Sequence, residues 1–348
     1  MFETNYNFLD RVLHQLALRY VPIADVSFDV DQTMVRTDPK EIIPLRHVFV
    51  AGLARAGSTV LMRRFHATGC FRSLTYRDMP FVLAPNLWRR LSLTQRRDIR
   101  RAERAHGDNL MVDSDSPESL DEVFWRIFAG EEYIRSDRLS PHAPDEELLR
   151  KYVHYVNAIL SAQDTRAPRY LSKNNNNILR LDAIHQAFPN ALILVPFRQP
   201  LQHALSLLHQ HVRFSEMQAA QKFVLAYMTW LGHHEFGLGH RPFSFNGTHF
   251  RAYPVTGLDY WLELWCEVYS WLLRSKPGPA LFVCYEDLCT RSETWRRLAE
   301  LADTPHADIV GEPLKLSERP TPVGVDRGLA DRASALYTQM LALTGYSR

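Results

Sequence analysis

The segment His47–Phe65, HVFVAGLARAGSTVLMRRF, constrains the fold of this chain more than any other. The apolar run His47–Ala51 reads as a buried strand, a loop holding Gly52 and Gly57 follows, and Ser58–Thr68 has the pattern of a helix that Gly69 can end. Strand, glycine loop and helix in that order suit an anion. The glycines let backbone N–H groups face it, and the helix start adds positive charge. The spacing G-x-x-x-x-G followed by two hydroxyls is that of a nucleoside-triphosphate loop, yet Ser58 stands where such a loop carries lysine. Arg55, inside the loop, is the cation that can replace it, and the missing lysine weakens the case for a magnesium–triphosphate ligand. Alone, the pattern also fits a plain glycine turn.

The remaining pattern gives this unit neighbours. Phe71–Tyr76, Tyr170–Ser172, Ala191–Phe197 and Ala280–Tyr285 read as strands, and Asn109–Asp113 as a possible one. Helices are expected over residues 5–20, after a cap at Ser116 with Pro117 first, and over Asp145–Gln163, Ile178–Phe188, Leu201–Val212, Glu216–Leu231, Leu258–Arg274 and Ser292–Leu301. Alternating strands and helices predict an α/β fold, a central parallel sheet flanked by helices. We expect one domain over 1–348: a helical extension to 46, a nucleotide-binding core over 47–300, and a tail with a helix over 301–348. Pro196 is expected to mark the end of its strand, since proline cannot donate to a ladder. Residues 234–257 form the one long irregular stretch, and their aromatic content predicts order. The stripe Tyr260, Trp261, Leu264, Trp265, Val268 and Trp271 reads as core.

A second anion position follows the strand Ala191–Phe197. Arg198 stands just past its end, Pro200 starts a helix, and Ser206 lies about two turns along it. Ligands of open parallel sheets bind beyond the carboxyl ends of the strands, so Arg198 can meet a ligand held by the first loop. Taken alone, the pair reads better as a surface arginine and a helix serine.

With 41 Lys+Arg against 39 Asp+Glu, charge gives no sign of nucleic acid as a partner. Cys70, Cys266, Cys284 and Cys289 form no C-x-x-C pair and suit a reducing compartment. No signal peptide and no membrane span are expected, hence a cytoplasmic protein. His66, His203, His209 and His211 lack a metal-ligand pattern.

Together these residues resemble the PAPS-dependent sulfotransferases, in a bacterial-type branch. The resemblance rests on Arg55-Ala56-Gly57-Ser58-Thr59; on Arg198-Gln199-Pro200 with Ser206; on the lysine-led segment SKNNNNILRLDAIHQAFPNALILV from Ser172; and on VCYEDL, Val283–Leu288. The stretches YRDMPF and DSPESLDEVFWRIF look bacterial rather than animal cytosolic. The resemblance implies a P-loop-like fold and transfer of a sulfuryl group from PAPS to a hydroxyl, leaving PAP. It implies that Arg55, Ala56, Gly57, Ser58 and Thr59 hold the 5′-phosphosulfate and that Arg198 and Ser206 hold the 3′-phosphate. Arg327-Gly328 weakly resembles a basic element that closes over that phosphate. Arg55 and Lys173 would assist the leaving bisphosphate, although Lys173 could also be a solvated lysine near a strand end. The family's catalytic histidine would fall at Asn175, which cannot take a proton. Asp78 is the candidate base in its place, with a turn aspartate as the other reading, and Asp113, Asp115 and His66 come next. The acceptor is expected to be a carbohydrate or another small hydroxylated molecule. A kinase with a degenerate loop and a non-catalytic nucleotide-binding protein are the alternatives.

Overall fold

The computed structural model describes residues 8–92, 102–103, 111–112, 116–162, 169–245, 253–275, 280–305, 314, 316, 320 and 324–344. Its strands are β1 (Val48–Val50), β2 (Phe71–Arg72), a separate antiparallel pair β3 (Ala102–Glu103) and β4 (Met111–Val112), then β5 (Arg169–Lys173), β6 (Leu192–Phe197) and β7 (Ala280–Cys284). Five of them form one parallel sheet in the order β2-β5-β1-β6-β7. The helices are α1 (Phe8–His14), α2 (Val21–Gln32), α3 (Ser58–Ala67), α4 (Pro85–Ser92), α5 (Glu122–Tyr133), α6 (Glu146–Ser161), α7 (Leu181–Ala187), α8 (Pro200–Ala220), α9 (Lys222–Trp230), α10 (Leu258–Ser275), α11 (Tyr285–Thr290), α12 (Ser292–Leu301) and α13 (Arg327–Leu343).

The central strands are apolar on both faces because both are covered. Val48, Val50, Leu171, Leu192 and Leu194 join Leu61, Met62 and Phe65 of α3 and Trp295 and Leu298 of α12. Phe49, Tyr170, Ile193, Val195 and Phe197 join the larger cluster, built from α5, α6, α8 and α10. Leu18, Ala24 and Phe28 near the start of the chain, and Leu329, Ala333 and Met340 near its end, enter that same cluster. The aromatic stripe of α10 packs inward as expected, with Tyr260, Trp261, Trp265 and Tyr269 buried and Trp271 partly buried.

Several expected boundaries moved. The strand begun at Phe71 stops at Arg72; Thr75 makes one bridge to Pro117 and then caps a single 3-10 turn, Tyr76–Asp78. That bridge holds Pro117 in extended pairing, so the next helix starts at Glu122 instead of following a Ser116 cap. Helix α8 runs without a break through residues 213–215, and the interruption falls at extended Gln221. Asn175–Leu179 is a 3-10 turn ahead of the short α7. Helix α1 gives way to a π turn, Gln15–Arg19, and most of the possible strand Asn109–Asp113 lies outside the described residues.

Pro196 lies inside β6 rather than at its end. Leu192 donates its N–H to His47 and Leu194 gives its carbonyl to Ala51, so alternate residues of β6 face β1. Pro196 is next in that series, but β1 has already turned away at Gly52. Its missing N–H therefore costs no ladder bond, and its carbonyl accepts from Tyr269 Oη at 2.8 Å.

Three buried histidines tie distant segments as neutral rings. His47 Nδ1 accepts from the Tyr170 N–H at 2.8 Å, His203 Nδ1 from Trp265 Nε1 at 3.1 Å, and His142 Nε2 from Arg180 Nε at 3.0 Å. Burial lowers their pKa values to about 4, about 3 and about 3 respectively. We expect their ring NMR signals to remain neutral at pH values where ordinary histidines protonate. Each folded pKa lies below the unfolded one, so the associated stability is present above pH 6.5 and declines by about 1.4 kcal/mol per unit as pH falls toward the folded value. Protonation of these rings near the usual histidine range would contradict the assignment.

Candidate active site

Strand β1 ends at Val50, level with the end of β5 at Lys173, while β6 continues past it to Phe197. The chain then makes a loop that needs left-handed backbone at Gly52 (φ 136°), Arg55 (φ 71°) and Gly57 (φ 93°). The Gly57 position has a second demand: an added Cβ would stand 2.5 Å from Cδ2 of Tyr285. Gly57 is also the N-cap of α3, where no side chain caps the first N–H groups. Ser58 is buried and Thr59 partly exposed in that first turn.

His203 holds this loop from beneath. Its Nε2 donates to the Ala54 carbonyl at 2.8 Å while Trp265 occupies Nδ1, which joins the loop to α8 and α10. Burial is the main reason why its pKa is low, and the positive charges of Arg198 and Arg55 push the same way.

The two sequence signatures meet directly. Arg55 Nε donates to Ser206 Oγ at 3.2 Å, across 151 residues of sequence. Arg198 follows β6 and lies over the Tyr285 ring, 5.1 Å from its centroid, the same ring that packs on Gly57. Glu286 completes the junction: Oε1 accepts the Gln199 N–H at 3.0 Å, and Oε2 accepts from Tyr337 Oη of α13 at 3.2 Å. Loop, β6–α8 turn and β7–α11 turn thus form one cluster beyond the carboxyl ends of parallel strands, where ligands of such sheets bind.

Lys173 stands on the other side of the loop. It ends β5, pairs in register with Val50 and is buried. Two of the four asparagines after it, Asn174 and Asn176, are anchored by a charged core. Glu122 Oε2 accepts from Asn174 Nδ2 at 2.6 Å and from Arg180 Nη1 at 2.9 Å, and Glu122 Oε1 accepts from Asn176 Nδ2 at 2.9 Å and from Tyr133 Oη. Burial alone would raise the Glu122 pKa, but the charge and hydrogen bonds of Arg180 outweigh it and hold the pKa down. Asn175 turns elsewhere and donates to Glu235 Oε1 at 2.7 Å.

Asp78 is engaged differently from a base in waiting. Its carboxylate takes Arg72 Nη2 at 2.7 and 2.9 Å, the Thr75 N–H at 2.7 Å and Thr75 Oγ1 at 3.2 Å, with both Arg72 and Asp78 buried. It shapes the turn after β2. His66 lies in the last turn of α3, about 12 Å along the helix from Ser58. Asp113 and Asp115 lie outside the described residues. Arg327 is exposed and begins α13, where the preceding Asp326 N–H donates to Asp259 of α10. The residue of α13 that reaches the cluster is Tyr337, about 15 Å further along, so Arg327 is not brought to Arg198. Among the described residues, no group of three or more His, Cys, Asp or Glu could hold a metal ion, and no helix is long and apolar enough to cross a membrane. Exposed His209 and buried His211 point to different surroundings, the latter accepting from the Gly237 N–H.

A sequence model of the sulfotransferase family matches residues 47–308, from the start of β1 past the end of α12. The chain belongs to the sulfotransferase family. Among solved structures, the chain is similar to a sulfotransferase from Mycobacterium avium, with 16% identity, 93% of this chain and 84% of the other covered, and a TM-score of 0.48. A sulfotransferase from Mycobacterium tuberculosis gives 17% identity, coverage of 99% and 86%, and a TM-score of 0.48. The sulfotransferase domain of the curacin biosynthetic pathway gives 13% identity, coverage of 85% and 98%, and a TM-score of 0.39. No curated protein sequence matches significantly. The sheet of this chain, flanked by helices with the glycine loop at its centre, has the P-loop-like architecture expected from the sequence.

Several partners in the cluster escaped the sequence reading. His203 was weighed only as a metal ligand, and Tyr285 and Glu286 only as part of a family motif. Glu122 lay in a stretch noted only for its bacterial look, and Glu235 and His233 carried no motif. An acid one residue after Asp121, directly ahead of the apolar run Val123–Trp125, was the signal that could have drawn notice to Glu122.

Proposed function

We propose that the chain transfers a sulfuryl group from PAPS to the hydroxyl of a carbohydrate or another small molecule, leaving PAP, in the cytoplasm. The observation that carries this reading is the meeting of Arg55 with Ser206 beside Arg198, which joins two anion-binding signatures into one site. The residues suit the donor on both sides. The left-handed loop, Gly57, Ser58, Thr59 and the start of α3 offer N–H and O–H donors to the phosphosulfate end, with Ala56 contributing backbone. Arg198 and Ser206 suit the 3′-phosphate, the group that separates PAP from AMP. When bound, PAPS supplies the activated sulfuryl group. Arg55 and Lys173 stabilise negative charge on the departing side, an interaction stronger in the transition state than before it. Asp78 we assign to positioning the turn after β2, since its carboxylate is already taken up by Arg72 and Thr75. Arg327 we leave out of the donor site. We treat residues 1–348 as one domain, because both ends of the described chain enter the same core.

The test is thermal. PAP should raise the melting temperature well above the shift given by AMP, and Arg198→Ala should remove most of the difference. Equal shifts from PAP and AMP would dismantle the donor assignment. Metal-dependent ATP turnover would favour the kinase instead.

A further inference from the structure

The site contains a hydroxyl-activating group only if something near Lys173 can take a proton, and Asn175 cannot. The chain after α9 brings one there. Gly232 turns with φ 76°, and its Cα hydrogen faces Glu122 so closely that an added Cβ would stand 2.7 Å from Glu122 Cγ. Asn176 Nδ2 also donates to the Gly232 carbonyl at 3.3 Å, and the His233 N–H returns to Met228. This pins the next three residues against the asparagine turn that follows Lys173. Glu235 then accepts from Asn175 through Oε1, and His233 Nδ1 lies 3.6 Å from Glu235 Oε2. No described residue hydrogen-bonds His233 Nε2, and the ring keeps 20% of its side-chain surface exposed.

We propose that His233 is the general base of the sulfuryl transfer, held and oriented by Glu235. The proposal rests on the PAPS reading above. In the step it describes, the acceptor hydroxyl gives its proton to His233 Nε2 and its oxygen forms the new bond to sulfur. The bond between sulfur and the bridging oxygen breaks, and that oxygen keeps the electron pair within the bisphosphate product, beside Arg55 and Lys173. The imidazolium later returns its proton to solvent. Glu235 is a positioning residue: its charge favours the protonated ring that forms, in the manner of a carboxylate behind a catalytic histidine.

The charges around the ring are of both signs. Burial pushes its pKa down, Glu235 beside it and Glu118 ahead of α5 push it up, and Lys173 of β5 pushes it down; the balance lies above 6.5. His234 of the same loop feels the charges of Arg241, Glu235 and His233, and burial lowers its own pKa. A base with this balance works in its neutral form, so turnover should rise with pH through a value above 6.5 and then level.

Water can serve as the acceptor probe, with PAP formation from PAPS followed across neutral pH. His233→Gln should lower the rate by roughly 10²-fold and remove the acid limb, with the PAP-induced thermal shift unchanged. Glu235→Gln keeps an oxygen for Asn175 and removes only the charge, so it should lower the plateau rate less than His233→Gln does and move the acid limb to lower pH. In parallel, the ring NMR titration of wild-type His233 should move to higher pH when PAPS is added, because the sulfuryl end is anionic. Wild-type rate and pH profile in His233→Gln, or a His233 titration indifferent to PAPS, overturns the assignment and leaves the donor site standing. Absence of any PAP-induced shift in the wild type would take down the PAPS reading first, and the base with it.

Discussion

Glu122→Ala should leave the protein largely unfolded. Glu122 and Arg180 are both fully buried, and removing the carboxylate strands the guanidinium without a counter-charge. That alone costs about 3–5 kcal/mol. Tyr133, Asn174 and Asn176 lose an acceptor at the same time, at about 1–3 kcal/mol for each buried group left unpaired. The losses are not additive, yet about 5 kcal/mol already rivals the whole stability of an ordinary domain. Urea unfolding followed by circular dichroism reads the effect. Asp137→Ala is the control, because its pair with Arg138 is exposed and should change stability by less than about 1 kcal/mol. Comparable midpoints for the two variants would mean that Glu122 does not organise the turn after Lys173.

Arg55→Ala should reduce sulfuryl transfer by roughly 10²- to 10³-fold, the scale seen when one preorganised donor is removed from a developing anion. Binding of PAP should weaken as well, since the same side chain links the loop to Ser206. Arg55→Lys should recover part of the rate but not all of it. Lysine restores the charge as a point and lacks the planar fork that can serve Ser206 and a ligand together. Both substitutes must also adopt the left-handed backbone of Arg55, so that strain is common to the pair and does not confound the comparison. Turnover from PAPS and PAP affinity, measured side by side, separate the two contributions. A PAP affinity lost in full with the rate per bound donor unchanged would make Arg55 a binding residue only.

The meeting of the two anion-binding signatures was legible because the determinants of each are local. Gly52, Arg55, Gly57 and Ser58 sit within one turn, and Arg198 and Ser206 within one strand–helix junction. Strand existence was legible for the same reason, as short apolar runs with covered faces. Ends of elements were less so. The bridge of Thr75 to Pro117 shortens one strand and delays one helix through a partner 42 residues away, and no local propensity encodes it. The acid–base side was illegible because its members come from separate elements. Asp78 looked suitable by position after β2, and only the Arg72 guanidinium against it reveals its occupation. Glu235 sits in the stretch read as irregular and His233 just ahead of it, and the asparagine that Glu235 meets lies 60 residues earlier.

The strand order carries a kinetic consequence. Strand β1 is synthesised early, but both of its partners, β5 and β6, come after residue 168. At about 5–20 residues per second, the roughly 120 residues between β1 and β5 take on the order of 6–24 s to translate. During that interval the apolar strand Val48–Val50 and the loop after it have no sheet to join. Long-range parallel pairing is also slow once the partners exist, because loop closure must precede the contacts that reward it. The nascent chain should therefore depend on holdase chaperones until residue 197 has emerged. A ribosome-stalled fragment ending before β5 should expose Val48–Val50 to protease, and one ending after β7 should protect it.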